Sequence, residues 1–237
     1  MRVAVFGGSF HPPHAGHEAV ARWILESGVA EEVWFLPAYR HPLGKNLAPF
    51  EQRVLWCQAL AETIPGTRVC EAEEALPVPS YTIDSLRSLA LQYPEHSFRL
   101  LVGADILPET PRWKAWDAIE SEFSPIVVGR GGHGPGRGTP SFPEISSTQL
   151  RSDLQSTGGP SGWASEGVRR SVARWFRPVP LFRDPSLMEV TGVVHGYTNA
   201  LGGAHGALDL GAGPSGPERR GDWCRTLDAL GEGLDPK

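Results

Sequence analysis

Residues 3–17, VAVFGGSFHPPHAGH, constrain this chain more than any other stretch. Val3 to Phe6 is an apolar run of the length of a buried parallel strand. Gly7, Gly8 and Ser9 follow at once, so the backbone can turn sharply and present amide N–H groups with no bulky side chain in the way. Pro12 and Pro13 stiffen the loop, and His14, Ala15, Gly16 and His17 open a helix-compatible run that continues to Glu26. Strand, glycine turn and helix N-terminus make an anion site. Residues three apart in a first helical turn share a face, so His14 and His17 both address whatever sits over the free amides. Two imidazoles there suggest phosphate, and Gly16 between them leaves room for a nucleotide to approach the backbone. A lone H-x-x-H is more often a pair of surface histidines, but here the whole composite counts.

The rest of the chain reads as alternating helices and strands. Val20, Ala21, Ile24 and Leu25 recur at helical spacing up to Gly28, and residues 33–36 form a second strand closed by Pro37, a strand-helix-strand unit of the parallel type. The next loop gathers Arg40, His41 and Lys45 at the expected carboxyl end of that strand, where open parallel sheets bind ligands. A helix over 50–63 places Val54, Leu55, Cys57, Leu60 and Ala61 on one side, and residues 68–70 make a short third strand. Ser80 is the expected N-cap of a helix over 81–92, with Asp84 in its first turn. Residues 98–102 form the fourth strand, ending in Gly103-Ala104-Asp105; a carboxylate there can accept from ribose hydroxyls or cap the next turn.

A helix over 112–120 carries Trp113 and Trp116, and residues 125–128 form the fifth strand. The glycine-rich run 129–143 is expected to be a surface loop rather than a phosphate cradle. Ser146, Ser147 and Thr148 then cap a helix, with Arg151 just inside it, where a cation opposes the dipole unless a polyanion is bound. A helix over 166–176 carries Val168, Val172, Trp175 and Phe176. Glycine is dense and period absent near the end, so a domain over 1–190 and a poorly ordered extension over 191–237 are expected.

Composition narrows the classes. With 27 acidic and 22 basic residues the net charge is −5, so nonspecific nucleic-acid binding is disfavoured and phosphate recognition must be local. Cys57, Cys70 and Cys224 are scattered with no C-x-x-C, which fits reduced thiols in the cytoplasm and argues against a zinc site. The N-terminal apolar run is too short for a signal-peptide core, and no stretch is long enough to span a bilayer, so a cytoplasmic protein is expected.

GGSFHPPHAGH resembles the signature of the nucleotidyltransferase superfamily that carries G-x-F-x-P-x-H-x-G-H, and within it the nicotinate-mononucleotide adenylyltransferases of NAD biosynthesis. PSYTIDSLRSL (79–89), ISSTQLR (145–151) and, more weakly, GAD (103–105) with the later Trp113 match the same family; the resemblance thins after Leu154. It implies an α/β fold with a Rossmann-like, doubly wound parallel sheet, and transfer of AMP from ATP to nicotinate mononucleotide, giving nicotinate adenine dinucleotide and pyrophosphate. His14, His17 and Arg151 would be catalytic. ATP would also meet Gly7, Gly8, Ser9 and Phe10 through their amides, then Gly103 and Asp105, and Ser146, Ser147 and Thr148. The acceptor would meet Lys45, Tyr81, Thr82 and Trp113, the last by stacking on the pyridine ring. Mg²⁺ would be held mainly through substrate phosphates, with no metal site made by the protein. ATP and nicotinate mononucleotide are the partners implied, without nucleic acid or membrane; a homo-oligomer stays open.

Three rivals share part of this pattern. Another HxGH enzyme, a phosphopantetheine adenylyltransferase or a cytidylyltransferase, would not need the SYT-x-D segment. A catalytically silent nucleotide-binding regulator would not need intact His14, His17 and Arg151. A dehydrogenase is disfavoured because the first turn lacks G-x-G-x-x-G.

Overall fold

Val3, Ala4 and Val5 have no exposed surface in the computed structural model, and their side chains alternate between two separate hydrophobic clusters. A strand buried on both faces belongs in the middle of a covered parallel sheet. The structure describes residues 1–40, 46–130, 140–142, 145–156 and 159–176. The strands are β1 (Arg2–Gly8), β2 (Glu32–Pro37), β3 (Thr67–Val69), β4 (Ser97–Gly103), β5 (Ile126–Arg130) and β6 (Ser141–Phe142). All pairings among them are parallel, in the order β3-β2-β1-β4-β5-β6. That is the order of doubly wound dinucleotide folds, and its direction reverses between β1 and β4, where the loops leaving the strands diverge and open a crevice.

Among the described residues six helices cover the sheet: α1 (Ala15–Glu26), α2 (Phe50–Ala61), α3 (Thr82–Gln92), α4 (Trp116–Phe123), α5 (Ser147–Ser156) and α6 (Glu166–Phe176). On one face Ala4, Val33 and Phe35 meet Ile24 of α1, Leu60 of α2, Leu150 of α5 and Val172 of α6. On the other, Val5, Trp34 and Leu36 meet Leu86 of α3 and Ile119 of α4. Each such large apolar side chain contributes about 1.5–3 kcal/mol on burial, so the two clusters fix which way every loop leaves the sheet.

Four local expectations change. Leu55 is 54% exposed, whereas Trp56 is fully buried, because α6 packs across α2 and covers Trp56 with Trp175 and Phe176. The helix expected over 112–120 is split: Leu107–Arg112 is a 3₁₀ turn containing Pro111, Trp113 lies outside any helix, and Ala115 at φ 53° precedes α4. Ser80 does not cap α3, whose N-cap is Tyr81 with no side-chain bond; its hydroxyl is committed elsewhere. The two ends of the run 129–143, expected to be loop, are strand: Gly129 and Arg130 of β5 pair with Ser141 and Phe142 of β6, which is too short to leave a periodic signal. His41, Lys45, residues 131–139, the boundary expected at 190 and the extension over 191–237 lie outside the described residues. Among the described residues no helix is long and apolar enough to cross a membrane.

Candidate active site

The chain leaves β1 through Gly7 and Gly8 and enters α1 at His14, whose extended backbone (φ −150°, ψ 174°) makes it the N-cap. His14 Nδ1 accepts from the Gly16 amide at 3.2 Å, and His17 Nδ1 accepts from the His14 amide at 3.1 Å. The two histidines therefore form a reciprocal capping box, a role usually filled by Ser or Thr with Glu or Gln. A neutral imidazole nitrogen that accepts carries no proton, so the bonding pattern assigns the proton of each ring to Nε2. The ring centroids lie 3.8 Å apart, and both rings line a cleft with Phe6, Gly103, Gly129 and Phe142. A Cβ on Gly16 would stand 3.1 Å from the His14 ring, so this glycine also keeps the cap in place.

Phe10 differs from its neighbours in the turn. Its ring is buried, packs 4.9 Å from that of His17, and supports it from below while the backbone takes a left-handed φ of 44°. Only its amide is suited to a ligand. That conformation is costly for a bulky residue, of order 1–3 kcal/mol, and persists only where the surroundings enforce it.

Arg151 reaches this loop from α5. Its guanidinium donates to the His11 carbonyl at 2.8 Å and to Thr148 Oγ1 at 3.2 Å, while the Ser146 hydroxyl accepts from the Gln149 amide at 3.3 Å. Both partners of Arg151 are neutral oxygens, so its charge is not cancelled by a carboxylate among these contacts, and partial burial lowers its pKa. The structure thus brings the ISSTQLR segment and the HPPH loop together across 140 positions of sequence.

His11 packs against the rings of Trp56 and Phe176, at 6.1 and 6.0 Å, which also meet each other at 5.8 Å. Burial, then the charges of Arg151 and Arg53, push its pKa down from 6.5 to about 4. A depressed value means that the unfolded chain takes up this proton first, so the neutral ring stabilises the fold above pH 6.5 and that contribution is lost as pH falls toward about 4. Melting followed across this window should show a smaller fall in Tm for His11→Asn than for the wild type; an equal fall would contradict the assignment.

Gly103 ends β4 opposite Val128, and Asp105 follows in a turn closed by the Ile106 amide on the Gly103 carbonyl at 3.0 Å. Gly103 lines the cleft directly. Farther along, the Lys114 ammonium lies 4.8 Å from the Tyr81 ring centroid and bonds Asp84 at 2.8 Å, so the SYT-x-D segment and the stretch after Trp113 share one surface. Tyr81 is exposed there, Thr82 is the first residue of α3, and Trp113 packs against Trp116 at 5.7 Å.

Gly129, near the end of β5, and Phe142 of β6 line the cleft but were not legible, since both fall in the run 129–143 that reads as a surface loop. Two further buried groups border the site: Arg53, on α2, and Glu73, in the 3₁₀ turn Ala72–Ala75. Arg53 had a signal, because it shares the apolar stripe of Phe50, Val54 and Cys57 at helical spacing. Glu73 had none within the acidic run EAEEA.

Comparison with known proteins agrees with this fold. The cytidylyltransferase-like family matches residues 5–153. A protein of Anaeromyxobacter sp. (strain K) named "Probable nicotinate-nucleotide adenylyltransferase" is 45% identical over 173 residues, covering 72% of this chain and 92% of the relative. One of the same name from Myxococcus xanthus is 36% identical over 163 residues, covering 68% and 86%. The nicotinic acid mononucleotide adenylyltransferase of Plasmodium falciparum, solved with NaAD, shares the fold at a TM-score of 0.62 and 17% identity, covering 73% of this chain and 95% of its own. With the HxGH turn, the SYT-x-D helix and the ISSTQLR helix all on one parallel sheet, this chain belongs to the cytidylyltransferase-like family and, within it, to the nicotinate-nucleotide adenylyltransferases.

Proposed function

We propose that the chain transfers AMP from ATP to nicotinate mononucleotide, releasing pyrophosphate. The observation that carries this reading is the bond from Arg151 to the His11 carbonyl, which sets a guanidinium beside the helix N-terminus capped by His14 and His17. Three donor groups of that kind suit a polyphosphate. The acceptor's 5′-phosphate is already an anionic nucleophile at neutral pH. One of its oxygens bonds to the α-phosphorus while the bond from that phosphorus to the bridging oxygen breaks, and pyrophosphate leaves with the electron pair.

The protein's task is then placement and charge stabilisation, without a side-chain nucleophile or base. His14 and His17 donate Nε2–H to the α- and β-phosphate oxygens, assisted by the amides of Gly7 to Phe10. Arg151, with Ser146, Ser147 and Thr148, holds the triphosphate tail. Gly103 and Asp105 face the nucleoside, and Tyr81, Thr82 and Trp113 face the pyridine, with Lys45 a further candidate from outside the described residues. Mg²⁺ bound with the substrate phosphates would supply neutralisation of their charge; among the described residues no group of three or more His, Cys, Asp or Glu side chains gathers to hold an ion. The free thiols Cys57 and Cys70 suit the reducing cytoplasm that we propose as its setting.

Pyrophosphate release with ATP and each candidate acceptor tests the reading. Nicotinate mononucleotide should exceed nicotinamide mononucleotide in kcat/KM by about 10-fold or more, since a site built for a carboxylate leaves donors unpaired with the amide. Phosphopantetheine and CTP-dependent acceptors should be inert. Turnover with one of these, or ATP binding without turnover for any acceptor, would overturn it.

A further inference from the structure

We propose that Arg53 and Glu73 are positioning residues that hold the nucleotide half and the acceptor half of the site in register, joined through the backbone of Tyr39. This deepens the reaction assigned above and rests on it. Arg53 is 1% exposed and spreads its guanidinium over three carbonyls: Ala48 at 2.9 Å, Ser9 at 3.1 Å and Tyr39 at 3.2 Å. Ser9 belongs to the turn whose amides face the nucleotide, immediately before the left-handed Phe10. The Arg53 fork is thus one of the groups that enforce that turn.

Glu73 does the corresponding work on the acceptor side. Its Oε2 accepts from the Tyr39 amide at 3.0 Å and from the Ser80 hydroxyl at 2.9 Å, and its Oε1 accepts from the Ser85 hydroxyl at 3.1 Å. Ser80 precedes Tyr81 and Thr82, so the carboxylate pins the entry of α3 where the acceptor segment begins. Tyr39 is the shared part: its carbonyl is held by Arg53, its amide by Glu73, and its ring lies edge-on to Phe50 at 5.1 Å.

Buried ions are a poor way to gain stability, because well-packed apolar residues of similar volume do as well or better. Burial lowers the Arg53 pKa, while the charges of Glu73 and Glu51 act against that fall. The pattern of bonds indicates what the two ions accomplish instead. They end on loop backbone and on hydroxyls beside the site, on segments about 30 to 40 positions apart in sequence. In-line transfer depends on the separation of the two substrates, and a misplacement of about 1 Å can cost about 100-fold in rate.

Steady-state kinetics on the full chain, with both substrates varied, test this through Glu73→Gln, Ser80→Ala and Arg53→Lys. Glu73→Gln and Ser80→Ala should raise KM for nicotinate mononucleotide about 10-fold and leave KM for ATP within about twofold; Arg53→Lys should do the reverse. Hydrogen exchange read by mass spectrometry should rise at residues 80–84 in Glu73→Gln, at residues 7–10 in Arg53→Lys, and at Tyr39 in both. Ser80→Ala leaves both buried charges in place, so its kinetic split is readable even if Arg53→Lys does not fold. Both KM values moving together in every folded variant, or exchange rising uniformly across β1 and α3, would overturn the proposal. A wild type that releases no pyrophosphate would refute the reaction instead, and the exchange pattern would still decide the coupling.

Discussion

His17→Ala is expected to slow pyrophosphate release by about two orders of magnitude or more while the protein still melts cooperatively. The substitution removes two things at once, and magnitudes separate them. Loss of the bond from the His14 amide to His17 Nδ1 weakens the start of α1, and a lost cap costs about 1 kcal/mol, or roughly 2–4 °C in Tm for a chain of this size. Loss of the Nε2–H donor to the α- or β-phosphate removes an interaction that strengthens as charge moves to the leaving group, worth about 2.7–4 kcal/mol. The rate should therefore fall far more than the stability, and kcat more than KM for either substrate. Pyrophosphate assays beside melting curves check this. His14→Ala is the weaker test, because that ring is buried and its loss would disturb the cap and the packing together.

Arg151→Ala should lower kcat/KM for ATP by about 100-fold or more, because a charge-assisted pair with a polyphosphate is lost along with the clamp on the HPPH loop. Arg151→Lys should recover part of that loss, since it keeps the charge but not the fork that spans the His11 carbonyl and Thr148. An independent readout comes from His11, which lies in the field of Arg151. Removing that charge should raise the His11 pKa from about 4 without restoring 6.5, since burial is the larger cause and Arg53 remains. Titration of its ring by NMR measures the change. An Arg151→Ala variant with unaltered ATP kinetics would place the triphosphate elsewhere.

Much of the scaffold was legible because its signals are local. The apolar core of β1, the glycines after it, the spacing of Val20, Ala21 and Ile24, and the stripe of α6 each follow from one side-chain period. The starts of α1 and α5, proposed above to face phosphate, were legible as helix caps for the same reason, since capping chemistry is written within four residues. What stayed hidden depends on partners distant in sequence. Nothing near Glu73 says that its carboxylate will meet the amide of Tyr39, 34 positions earlier. Ser80 has the composition of a cap, yet its hydroxyl goes to Glu73 and the helix starts at Thr82 without it. Leu55 and Trp56 exchanged places because the burial of α2 is decided by α6, more than a hundred residues later.

A crystal structure of the protein with a non-hydrolysable ATP analogue and Mg²⁺ bears most directly on the central claim. Nε2 of both His14 and His17 should lie within hydrogen-bond distance of α- or β-phosphate oxygens, with the Arg151 guanidinium on the same triphosphate. A triphosphate bound away from the N-terminus of α1, or one touched by the imidazoles while Arg151 stays on the His11 carbonyl alone, would contradict the account.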